Sequence, residues 1–92
     1  MELPEIRGYG QYESDNYGVN SLMVDFNNFR LYYSYKTIIG YYDSTDGEVV
    51  CKNNWGTTTG KHLNWINPDH KKRLPYGEFQ KKLETMLARH TQ

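Results

Sequence analysis

The sequence predicts an α+β domain: an antiparallel meander of three to four strands, a short helix, and a longer C-terminal helix, both helices packed on one face. Three observations predict it. Residues 19–51 hold runs of alternating apolar and polar residues broken by turn residues, which is the strand-and-hairpin signature. Residues 76–87 place Tyr76, Phe79, Leu83, Met86 and Leu87 at helical spacing, one apolar stripe on an amphipathic helix. A chain of 92 residues is one domain with one modest core.

The elements follow in order. Residues 1–18 are polar and glycine-punctuated and read as an N-terminal arm or irregular edge strand, with a turn at 14–18; residues 19–92 form the domain proper. Residues 19–26 form the first strand of the meander, with Leu22, Val24 and Phe26 on one face. Asn27-Asn28 suits a two-residue hairpin. In the next strand Phe29, Leu31, Tyr33 and Tyr35 share one face; Arg30, Tyr32 and Ser34 share the other. Tyr35-Lys36 makes a tight connection to a β-branched and aromatic strand at 37–42. A loop at 43–47, ending in Asp-Gly, leads to a fourth, short strand at 48–52. Thr58 or Thr59 is a candidate N-cap for a short helix ending at Ile66, where Asn67-Pro68 stops it. His62, Leu63 and Ile66 fall on one face of that helix, with Lys61 and Trp65 displaced. Residues 69–73 read as a polar loop, and Pro75 opens the last helix.

Composition narrows the function classes. Nine of the hydrophobic residues are tyrosines, so the core draws on aromatic side chains whose polar tips need partners. Eleven basic residues balance eleven acidic ones, against an affinity dominated by phosphate neutralisation. A single cysteine, Cys51, excludes an internal disulfide and a cysteine-rich zinc site. The acidic N-terminus does not resemble a signal peptide, and no apolar run reaches the ~20 residues that span a bilayer. The expectation is a cytoplasmic protein without membrane contact.

Chemistry is expected around Trp55-Gly56-Thr57-Thr58-Thr59-Gly60-Lys61-His62-Leu63-Asn64-Trp65-Ile66, which holds both tryptophans. Gly-Thr-Thr-Thr-Gly-Lys-His is not a phosphate-binding P-loop: three residues separate the glycines where four are needed, and histidine follows the lysine. An anion held by helix-start N–H groups, threonine hydroxyls and Lys61 is a weaker alternative to simple capping. His62, His70 and His90 lack metal-ligand spacing, and Cys51 fits a packed strand position. No catalytic residue, metal or cofactor is expected. The candidate binding residues are Trp55, Thr58, Thr59, Lys61, His62, Asn64, Trp65, Lys71, Lys72 and Arg73.

Three ordered runs carry a resemblance: Asn16-Tyr17-Gly18-Val19-Asn20; Leu31-Tyr32-Tyr33-Ser34-Tyr35-Lys36-Thr37-Ile38-Ile39; and Trp55 through Ile66 followed by Arg73-Leu74-Pro75, Glu78-Phe79 and Leu83. Together they resemble a family of small proteins without an assigned activity, many of them phage- or prophage-encoded. The resemblance implies a setting, and supplies no catalytic residues. The leading expectation is a non-enzymatic binding protein, a phage accessory factor that inhibits or regulates a host macromolecule through an aromatic-rich surface, with a protein as partner, in the host cytoplasm. The alternative is a nucleic-acid-binding module using Lys61, Lys71, Lys72 and Arg73, with Tyr32, Tyr42 and a tryptophan as stacking surfaces.

Overall fold

The computed structural model describes residues 4–9 and 21–91. Among them, five strands form one antiparallel sheet in sequence order: β1 (Glu5–Gly8), β2 (Ser21–Asp25), β3 (Phe29–Ser34), β4 (Thr37–Asp43) and β5 (Gly47–Val50). Helix α1 (Thr57–Ile66), a 3-10 turn (His70–Lys72) and helix α2 (Tyr76–His90) follow. The α+β class and the meander are as the alternation predicts. The expected turn at 14–18 and the start of the strand at 19–20 lie outside the described residues.

The sheet has one strand more than the three to four expected. The addition is β1, from the stretch read as an arm or irregular edge. All four of its residues are exposed, so it carries no burial pattern to read. It is held by its register, Ile6 opposite Val24 and Arg7 opposite Met23, and by charge. Asp25 on β2 sits between Arg7 of β1 and Arg30 of β3 and is ion-paired to both. Those hydrogen bonds outweigh the burial that acts the other way and lower the Asp25 carboxyl below its ordinary range.

Cross-strand register fixes the faces, because directly paired residues share a side and neighbours along a strand alternate. Leu31 pairs with Tyr41, and Tyr41 with Val49. On that face Tyr41 meets Phe79 of α2, ring centroids 6.0 Å apart. Tyr32 pairs with Met23 and Gly40, and Gly40 with Val50. On that second face Ser34, two residues along from Tyr32, bonds to Thr59 and His62 of α1. The two helices therefore lie on opposite faces, which corrects the expectation of a single covered face. The physical reason is visible in β3, where adjacent Leu31 and Tyr32 are both buried. Covering only one side would leave one of them in water.

The turn chemistry differs in detail from expectation. Tyr35-Lys36 is a two-residue turn, and Tyr35 has φ +57°, the one positive value for a non-glycine among the described residues. Asn27-Asn28 joins β2 to β3, closed by Phe26 N–H donating to the Phe29 carbonyl at 2.9 Å, without positive φ. A register shift between Tyr32 and Tyr33 makes Ile39 an extra residue in β4, a bulge that re-aims the strand. Beyond β5, Cys51 bridges to Leu74, tying the lead-in of α2 beside the sheet. Phe79 and Met86 of α2 are buried, and Tyr76, Leu83 and Leu87 pack against the same core, as the helical spacing predicts.

Candidate functional site

The stretch from Trp55 to Ile66 is a strand-to-helix corner, and α1 begins at Thr57, earlier than a threonine cap implies. Gly56 is the N-cap residue, with no side-chain cap and no acid in the first turn. The expected capping by Thr58 or Thr59 is thus corrected. Both lie inside the helix, and Thr59 turns inward to bond Ser34 at 2.9 Å. Asn53 shapes the corner instead: its side chain accepts from Trp55 N–H at 2.9 Å and donates to the Gly56 carbonyl at 3.1 Å.

His62 is fully buried, which corrects its reading as a group open to a partner. Its Nδ1 is hydrogen-bonded to Ser34 Oγ at 2.7 Å, and the ring of Tyr9 stands edge-on to it, centroids 6.1 Å apart. Leu63 and Ile66 are buried alongside, as the helical face predicts. Lys61 is exposed. Trp65, 46% exposed, lies tilted against Tyr9 with centroids 5.1 Å apart.

The basic segment is also split. Lys71 and Lys72 are exposed on the 3-10 turn, whose N-cap Asp69 accepts from Lys71 N–H. Arg73 is buried, which corrects its placement on an open basic surface. Its Nη2 donates to Asn64 Oδ1 at 2.8 Å and to the Asn67 carbonyl at 3.1 Å, so Asn64, though exposed, is engaged. Tyr32 is buried too and offers no stacking face, whereas Tyr42 is exposed.

A groove of about 400 Å³ opens at the start of α1. Trp55 and Tyr35 wall it, 43% and 51% exposed. Thr37 and Ile39 line it from β4, and Thr57 and Thr58 from the helix start. Trp55 is braced from behind by Tyr76, edge to face at 5.3 Å. The first-turn N–H groups of α1 have no intrahelical partners, as at any helix start; the first such bond that forms is Gly60 N–H to the Gly56 carbonyl. The sequence pointed to Trp55 and Thr58 but not to Tyr35, Thr37 or Ile39, which reach the groove only through the tight turn and the bulge.

Cys51 is fully buried, and burial pushes its thiol up to about 11, which favours the protonated thiol over the reactive thiolate. Among the described residues no group of three or more His, Cys, Asp or Glu side chains could hold a metal ion. No described helix is long and apolar enough to cross a membrane.

Among the described residues these features define an α+β fold, a five-stranded antiparallel sheet with a helix on each face and an aromatic groove at the start of α1. The chain belongs to DUF8033, a family of unknown function, whose model matches residues 1–81. No curated protein and no solved structure matches it.

Proposed function

We propose that the protein is a non-enzymatic binding protein that takes an extended segment of a partner protein in the groove between Trp55 and Tyr35. The groove itself carries the reading: two half-exposed aromatic walls flank a helix start that has no side-chain cap. Exposed aromatics anchor interfaces well. Beside them, the first-turn N–H groups suit a carbonyl or carboxylate of the bound segment. Tyr35 supports the reading, since a bulky residue held at positive φ stores strain at a binding edge. The sequence resemblance supplies the setting: a phage-encoded accessory factor acting on a host macromolecule in the host cytoplasm.

A photo-crosslinking residue in place of Thr57, exposed at the groove, tests this in host cells. The reading expects a discrete protein adduct that a crosslinker at Lys82, exposed on α2, does not give. An adduct pattern identical at the two positions would contradict it.

A further inference from the structure

Arg73 is a buried cation without a buried anion. It is 6% exposed, and the groups that accept from it are the neutral oxygens of Asn64 and Asn67. Among the described residues no carboxylate is ion-paired with it, unlike Arg7, Arg30 and Arg89. Its Nε is buried with no hydrogen-bond partner, the one such side-chain atom among the described residues. A charge removed from water this way is costly unless a counter-charge reaches it.

The surroundings show where that counter-charge would come from. Arg73 lines a pocket of about 340 Å³ together with Lys52, Asn53, Gly60, Asn64 and His70. None of these is acidic. Asp69, the nearest acid in the chain, turns its carboxylate to the N–H of Lys71 instead. Gly60 also lines the pocket, and a Cβ there would lie 3.0 Å from Asn53 Nδ2. Arg73 Nη1 is neither buried without a partner nor hydrogen-bonded, so it is the donor left for an occupant.

We infer that this pocket binds a phosphoryl group, with Arg73 as the fixed donor and Lys52 and His70 as adjustable ones. Two full positive charges, Arg73 and Lys52, match a phosphate dianion better than a carboxylate. The guanidinium supplies planar directional donors and the ammonium a mobile point charge. The site shares no lining residue with the groove beside Trp55 and stands independently of the function proposed there. A free phosphorylated metabolite and a nucleic-acid backbone present the same chemistry.

The test is NMR titration of the labelled full chain at low salt, following the Arg73 Nε–H resonance. The probes are inorganic phosphate, AMP, a short oligothymidylate, and acetate at matched ionic strength. Phosphate should move the Arg73 resonance saturably and acetate should not. AMP or the oligonucleotide should move it at lower concentration, and whichever binds more tightly identifies the carrier. Lys52→Gln with His70→Gln changes only exposed residues and should weaken phosphate binding about tenfold, with an unchanged circular dichroism spectrum. The inference is overturned if the Arg73 resonance does not respond to phosphate. It is overturned equally if acetate reproduces the response, if the double variant binds as the parent does, or if the oligonucleotide perturbs Lys71 and Lys72 alone.

Discussion

Ser34 Oγ lies 2.7 Å from His62 Nδ1 and 2.9 Å from Thr59 Oγ1, so one hydroxyl at the end of β3 holds two successive turns of α1. All three side chains are buried. This joins the two segments that give the sequence its most distinctive character, Ser34-Tyr35 and Thr58-Thr59-Gly60-Lys61-His62.

Ser34→Ala should therefore destabilise the fold by about 1–3 kcal/mol, the range for leaving a buried polar group without its partner. The midpoint of urea unfolding, at unchanged slope, checks it. Because the same bond positions α1, the Trp55 groove should lose definition in this variant even where the protein remains folded.

Asp43 predicts an acid limit. It is fully buried, and burial alone would raise its carboxyl. The Asp46 N–H at 2.6 Å, His90 at 3.0 Å and Arg89 at 2.6 Å outweigh that and hold it at about 2. A carboxyl depressed from 3.8 in the folded state contributes stability that is complete above about pH 4 and is lost as pH falls towards about 2. The contribution is roughly 2 kcal/mol at neutral pH. Unfolding free energy measured from pH 5 to pH 2 should fall steeply, and Asp43→Asn should flatten that fall.

Cys51 should be silent to thiol reagents. It is sealed between β4, through its N–H to the Ile39 carbonyl, and Leu74. With its thiol pushed up to about 11, negligible thiolate exists at pH 8. Labelling by a disulfide reagent should follow global unfolding, becoming complete only in denaturant.

Gly40→Ala should cost about 1–3 kcal/mol by overpacking. A Cβ there would lie 3.1 Å from Val50 Cγ1 and 3.2 Å from the Val49 carbonyl oxygen. The methyl of valine can shift; the backbone oxygen of β5 cannot without moving the strand. Thermal unfolding of the variant checks this.

The core of the fold was legible because periodicity reports burial. The stripe of α2, the alternation of β3 and the anchoring of Leu63 and Ile66 all follow from it. Three things were not legible. β1 buries no residue of its own, so the alternation rule had nothing to detect. The opposite placement of the helices depends on Leu31 and Tyr32 both being buried, and tyrosine is equally at home on a wet face. His62 and Arg73 look like surface groups in a polar sequence. Their burial depends on Ser34, and on Asn64 and Asn67, hydrogen-bond partners that only the tertiary fold identifies. For the same reason the groove was half seen. Trp55 and Thr58 come from the expected stretch; Tyr35 and Ile39 arrive through a positive-φ turn and a bulge.

We propose that the Trp55 groove takes a protein partner, and one measurement tests this most directly. Capture from host lysate on the immobilised protein, with and without nuclease, compares the parent with Trp55→Ala and with Tyr35→Gly, which keeps the positive φ of the turn. The account predicts a captured protein that resists nuclease and is lost in both variants while their circular dichroism is unchanged. Capture that nuclease abolishes, or that both variants retain in full, would contradict it.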